Sequence, residues 1–201
     1  MSTLDYAPNG KTFITADTHF GHAEACTLFD RPFTDVQAMD AALIERFNAL
    51  MGPDDVLYHL GDFVGGVAPL DEKVARARMA REAMTVGSIV LVQGNHDAHK
   101  KKYRAIFDDV YDILSVNGWR GGSERVVLSH YPLRCWQGNR HGALHCYGHA
   151  HGRLEEFGRS TDVGVDCWKY GPVEVDRVLE MLASRPIVAL PSSRVRKQVE
   201  R

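Results

Sequence analysis

At 201 residues with 44% hydrophobic content, the chain is long enough for one compact domain to bury most of its apolar surface without disulfides or a structural metal. Its 24 basic and 26 acidic side chains leave a formal charge of -2, so no global positive field gathers nucleic acid, and a nucleic-acid substrate would need a local basic patch. No apolar run approaches the roughly 18 residues of a membrane helix, and the first residues carry Asp5, Pro8, Asn9 and Gly10, which predicts a cytoplasmic, unsecreted protein with no membrane contact.

In chain order, residues 12–16 form a short apolar run that ends in a polar turn, as a buried strand does. Thr34 and Gln37 then make a capping box. Val36, Met39, Leu43, Ile44, Phe47 and Leu50 recur at helical spacing until Gly52-Pro53 stops the segment. Residues 56–60 and 88–92 are further buried strands, separated by a charge-rich helix over 70–84, and a short helix falls within 98–107. Strand, helix, strand, helix, strand implies parallel pairing through right-handed crossovers.

The second half reads differently. Residues 110–116, 125–129 and 144–148 are β-rich runs separated by Gly-containing loops, and the 19 positions from His130 to His149 are too few for a crossover unit of roughly 30 residues. Hairpin or loop connections are expected there. Residues 174–184 read as a final helix, closing a domain over 1–185, and residues 186–201, with Arg194, Arg196 and Lys197, read as a loose tail. There is no internal repeat.

The four cysteines, Cys26, Cys135, Cys146 and Cys167, are scattered and predict reduced thiols. The ten histidines cluster beside Asp, Asn and Gly, which invites a metal reading. Asp17-Thr18-His19, Gly61-Asp62, Gly94-Asn95-His96-Asp97, Ser129-His130 and Gly148-His149-Ala150-His151 carry that chemistry, four of them beginning just where an apolar run ends. In open α/β sheets that edge binds ligands. Asp17 and His19 are two apart, as are His149 and His151, so in extended backbone each pair points to one side and converges on one ion. Two divalent ions would bring +4 against the -2 of Asp17 and Asp62, leaving a site built to receive an anion such as a phosphate ester. Mixed imidazole and carboxylate ligation favours manganese, iron, zinc, nickel or cobalt over magnesium or calcium.

These ordered motifs, spanning about two thirds of the chain, resemble the calcineurin-like metallophosphoesterase superfamily. Asp-Thr-His-Phe-Gly-His at 17–22, His-Leu-Gly-Asp-Phe at 59–63 and Leu-Ser-His-Tyr-Pro at 128–132 further resemble a branch of small bacterial and phage phosphoesterases. The resemblance implies an α/β fold, a two-layered β-sandwich flanked by helices. It assigns Asp17, His19, Asp62 and His151 to one ion and Asp62, Asn95, His130 and His149 to the other, with Asp62 bridging and manganese the favoured metal. A hydroxide between the ions would attack phosphorus in line, and His96 would protonate the leaving oxygen or stabilise the transition state. One departure stands out: the protein-phosphatase arm carries Asp-Arg-Gly where this chain has Gly65-Gly66-Val67, which argues against a phosphoprotein substrate. The carboxylate partner of the catalytic histidine in that arm is also missing, and Asp97 is the stand-in at hand.

Around this centre, His22, Arg31, Arg134 and Trp136 are the expected substrate contacts, with Tyr131 and Arg140 in the same loop. Arginine could fork onto a phosphate and Trp136 could stack on a base, while loop anchoring and core packing explain those residues equally well. His59 is expected as a buried strand residue, and His99, His141 and His145 as surface or loop residues. Lys100, Lys101, Lys102 and Arg104 read as the solvated face of a short helix, and Asp166 and Trp168 as packing residues beneath the site. The expected activity is hydrolysis of a small nucleotide-like or other organic phosphate, diester or monoester. A nuclease of the same superfamily and a noncatalytic scaffold are the alternatives, the first weakened by near-neutral charge and the second by the complete ligand set. Oligomeric state leaves no mark in these residues.

Overall fold

The computed structural model describes residues 2–5, 10–97, 100–119, 122 and 124–188. The first part of the chain forms strand β1 (Ser2–Asp5), β2 (Thr12–Thr15), helices α1 (Ala25–Leu28) and α2 (Val36–Leu50), β3 (Val56–His59), α3 (Leu70–Glu82), β4 (Ser88–Val92), α4 (Lys100–Tyr103) and β5 (Asp109–Tyr111). The remainder forms β6 (Ile113–Asn117), β7 (Arg125–Ser129), β8 (Leu144–Tyr147), β9 (Ser160–Asp162), β10 (Val173–Glu174) and α5 (Val175–Ala183). They build two five-stranded sheets, ordered β10-β2-β3-β4-β5 and β1-β6-β7-β8-β9.

As expected from the alternation of strands and helices, β2, β3 and β4 pair in parallel, and β5 extends the same parallel sheet. Both faces of this sheet are covered, which explains its continuous apolar runs. Phe13, Leu57, Ile89 and Leu91 face the helices, packing on Met39, Leu43 and Phe47 of α2 and Ala77 and Ala80 of α3. Ile14, Tyr58, Val90 and Val92 face inward and meet Leu114, Val116, Val126, Leu128, Leu144 and Cys146 of the second sheet. This is the sandwich core, and α5 closes one side of it with Val178 and Leu182.

Several local expectations need correction. Helix α2 is capped by Asp35, whose Oδ1 accepts from the Ala38 amide at 2.8 Å, rather than by a Thr34–Gln37 box. The carboxylate is the stronger acceptor for the exposed amides at a helix start. The run at 110–116 is two strands: the chain breaks at exposed Asp112, and β5 and β6 lie in different sheets. Between β7 and β8 a loop with one 3-10 turn (Asn139–His141) suffices for a parallel pair, so the connection is the loop and not the hairpin. His145, expected on the surface, is fully buried on β8, its ring bonded to Ser129 Oγ at 2.8 Å and Ser160 Oγ at 3.2 Å. His59 is buried as expected, with Nε2 3.0 Å from Thr18 Oγ1. His99 and most of the expected tail lie outside the described residues. Among the described residues no helix is long and apolar enough to cross a membrane.

Candidate metal centre

Asp17, Asp62, Asn95, His130 and His149 each follow a strand end, those of β2, β3, β4, β7 and β8, within a few residues. The loops are laced together by main chain: Asp17 N donates to Gly61 O at 2.9 Å, His19 N to Asp62 O at 3.0 Å and Gly148 N to His130 O at 3.0 Å. The backbone is not extended here, which corrects the expected origin of the paired ligands. Asp17, His19, Asp62, His149 and His151 all have positive φ, between 50° and 69°. Non-glycine residues are uncommon in that region and collect at functional sites, where surrounding structure holds the strain. Left-handed turns, rather than strand alternation, bring each Asp-x-His and His-x-His pair together. Gly94 is required by proximity, because a Cβ there would lie 2.3 Å from Asp62 Oδ1.

Three clusters offer ligand atoms within 4.8 Å of one another: Asp17, His19 and His151; Asp62, His130 and His149; and His19, Asp62 and His96. Asp62 Oδ2 lies between the first two, 3.6 Å from His19 Nε2 and 3.5 Å from His130 Nε2. Asn95 Oδ1 is 2.9 Å from His130 Nε2. The arrangement fits divalent ions on a specific observation: Asp17 Oδ1 and His19 Nε2 are buried without a hydrogen-bond partner. Such groups cost free energy unless something neutralises them. Burial, reinforced by Asp62 and Asp162, pushes the Asp17 carboxyl well above its usual range, a bias a cation would reverse. Burial, with Arg31 and three neighbouring histidines, holds His19 well below its usual value, so the ring is the neutral imidazole that ligates metals. Its approach to Asp62 is therefore not an ion pair.

His96 stands at the edge of this centre, its ring 5.1 Å from that of His19 and 5.7 Å from that of His22. Its amide donates to Asp62 Oδ1 and Lys73 Nζ donates to its carbonyl, both at 2.8 Å. Asp97 is not its partner. That carboxylate accepts from the amides of Asp62, Phe63 and Gly94 at 2.8 to 2.9 Å, clamping the loops, and burial beside Asp62 pushes its pKa up to about 7.

The expected substrate contacts fare differently. Arg31 is turned inward, its side chain fully buried; it forks onto Asp166 at 2.8 Å and donates to the carbonyls of Asp17 and Thr18. With its donors spent, it anchors the first ligand loop. Trp136 is buried on the outer face of the second sheet, stacked on His145 with Nε1 bonded to Ala143 O, because packing there hides more apolar surface than a rim position would. Arg134 lies over the Phe157 ring of that same cluster, its guanidinium 4.8 Å from the ring centre, where cation and ring attract. His22 does join the site, buried with Nδ1 3.2 Å from His19 Nδ1.

Sequence reasoning undervalued three groups. Asp166 Oδ2 is 2.7 Å from His151 Nδ1, Phe29 stacks on the His151 ring at 3.5 Å, and half-exposed Tyr131 sets its ring 4.6 Å from that of His149. Tyr131 left a signal by following His130, and Asp166 by ending the apolar stretch at 163–165 as the expected ligands end theirs.

Known proteins resemble the chain along most of its length. The chain is 29% identical over 187 residues to an uncharacterized protein of Methanocaldococcus jannaschii, covering 89% of this chain and 94% of that one. It is 26% identical over 185 residues to the gene 66 protein of Mycobacterium phage L5, covering 78% and 87% respectively. A crystal structure of a protein of unknown function from Aquifex aeolicus shares the fold, with a TM-score of 0.62 at 22% identity over 86% of this chain and all of that one. The family model for calcineurin-like phosphoesterases matches residues 10–182, and the chain accordingly belongs to that family, whose chemistry is metal-dependent hydrolysis of phosphate esters.

Proposed function

We propose that this chain is a phosphoesterase working with two divalent transition-metal ions, manganese favoured, on a small nucleotide-like or other organic phosphate. Asp17, His19, Asp62 and His151 would hold one ion and Asp62, Asn95, His130 and His149 the other. The observation that carries the reading is the pair of buried, unpartnered atoms Asp17 Oδ1 and His19 Nε2 beside Asp62. Two ions bound there would activate water and draw charge from the phosphoryl oxygens.

The protein's own groups do the rest. Asp62 joins both halves of the centre and fixes the His96 amide. His96 stands where it can pass a proton to the leaving oxygen, its position set through its main chain by Asp62 and Lys73. Gly65 is consistent with a substrate other than phosphoprotein, since a Cβ there would lie 2.4 Å from His19 Nδ1 and the aspartate of the protein-phosphatase arm has no room. With Trp136 packed away, Tyr131 is the exposed aromatic ring beside the site. The four free cysteines support work in a reducing compartment such as the cytoplasm.

Turnover of bis(p-nitrophenyl) phosphate by manganese-loaded protein tests the reading, followed by nucleotides against single-stranded DNA. Two bound ions with no turnover on any of these would favour a scaffold, and preference for DNA would favour a nuclease.

A further inference from the structure

The three carboxylates buried around the centre have different tasks. Asp97 accepts from backbone amides, and Asp162 from those of Gly152 and Gly164 at 2.9 and 2.8 Å and from the Cys167 thiol. Asp166 alone bonds the ring of an expected metal ligand. Its Oδ2 meets His151 Nδ1 at 2.7 Å, and both its oxygens are gripped by Arg31. The side chains of His151 and Asp166 are only 8% and 7% exposed, so solvent offers no substitute partner.

We infer that Asp166, gripped by Arg31, is a positioning residue that sets the metal-binding face of His151; this rests on the metal reading above. A carboxylate at Nδ1 must receive a proton from the ring, which leaves the Nε2 lone pair free to ligate. Phe29, stacked on the same ring within 10° of parallel, holds its plane. Arg31 carries the effect further: its other donors hold the carbonyls of Asp17 and Thr18, so one guanidinium ties the loop of Asp17 and His19 to the support of His151. No such tie reaches Asn95, His130 or His149 among the described hydrogen bonds of Arg31 and Asp166. Apart from the Asp17 carboxylate, whose Oδ2 accepts from the His149 amide at 2.8 Å, the network therefore serves one ion position and not the other.

The test is calorimetric titration of manganese into metal-free protein, alongside nitrogen-15 NMR of its histidine rings. Wild type should take up two ions, with His151 as the Nδ1–H tautomer before metal is added. Asp166→Asn should weaken one ion by roughly 10- to 100-fold and leave the other unchanged, since loss of such supporting partners typically costs that much. Asp166→Ala should also release the tautomer, and Arg31→Lys, which keeps charge but loses the fork, should weaken the same ion less. Should the alanine variant fail to fold, Asp166→Asn and Arg31→Lys carry the test. Unchanged affinity for both ions in Asp166→Asn, or equal weakening of both, would overturn the assignment while leaving the metal centre standing. Wild-type protein that takes up no ion would instead overturn the metal reading itself.

Discussion

The two sides of the candidate metal centre are built differently. Asp17 and His19 are buried, the His151 ring is nearly so, and Arg31, Asp166 and Phe29 brace them from behind. Across Asp62, His130 is buried with Nδ1 on Leu60 O at 2.8 Å, but Asn95 and His149 are exposed. One side thus holds its candidate ligands in place without an ion, at the cost of stranding polar atoms. The other presents its candidate ligands to solvent, where water and a substrate could reach a bound ion. Preorganisation and accessibility are divided between halves of one candidate site, linked through Asp62 and through Asp17, whose Oδ2 accepts from the His149 amide at 2.8 Å.

The sharpest way to break this comparison is to remove the joint. Asp62→Asn should empty both sides and lower kcat/KM by at least about 10⁴, since several kcal/mol of charge stabilisation depend on the metals at about 1.4 kcal/mol per decade. Metal analysis together with bis(p-nitrophenyl) phosphate kinetics checks it; two ions and near-normal turnover would remove Asp62 from the bridging role. His96→Ala comes next, with an expected loss of roughly 10²- to 10⁴-fold while both ions stay. The deficit should be larger for an alkoxide leaving group than for p-nitrophenolate, which hardly needs protonation. Because His96 also lies within ligand range of His19 and Asp62, loss of an ion in this variant would make it a ligand instead.

Smaller effects separate the two sides directly. His149→Ala should be largely rescued by raised manganese, because water can fill the vacated position on the exposed side. His151→Ala, on the closed side, should bind its ion at least about tenfold more weakly than His149→Ala binds its own. Equal rescue of the two would dissolve the distinction.

The smallest effect concerns histidines bracing each side from the sheets. His59 holds Thr18 between two ligands of the closed side, and His145 holds Ser129 beside His130; burial pushes both down to about 3. Each is neutral when folded and titrates near 6.5 when unfolded, so unfolding takes up protons below that value. Their contribution is therefore intact above about pH 6.5 and is lost progressively as pH falls toward 3, by up to about 1.4 kcal/mol per pH unit for each. Urea unfolding of chelated protein at about pH 7, 6 and 5 should show this slope, reduced in His145→Gln; a flat profile would mean that both rings take up protons in the fold as readily as in the unfolded chain.

Much of this site could be read from residues in a row. Asp17-x-His19, Asp62, Asn95-His96, His130 and His149-x-His151 are runs of donor types beside glycines, and the chemistry of metal ligation is local enough to show in them. The parallel first sheet was readable for a similar reason, since buried strands and amphipathic helices leave periodic patterns over a few turns. Where the chain changes sheets at Asp112 the pattern is silent, because an apolar run looks alike whichever sheet receives it. Arg31 and Trp136 were equally ambiguous: an arginine beside a phosphate site and an arginine beneath it have the same neighbours in sequence.

The sequence by itself determined the candidate donors, their order along the chain and the family to which it belongs. Only the tertiary structure decided that Arg31 faces Asp166, 135 positions away, and that Asp166 faces His151. Only the folded loops put Asp17, His19, Asp62, His149 and His151 at positive φ. The physical reason is shared. Ligand identity is a property of single side chains, whereas tautomer, strain and exposure are imposed by contacts that exist only once both sheets have packed.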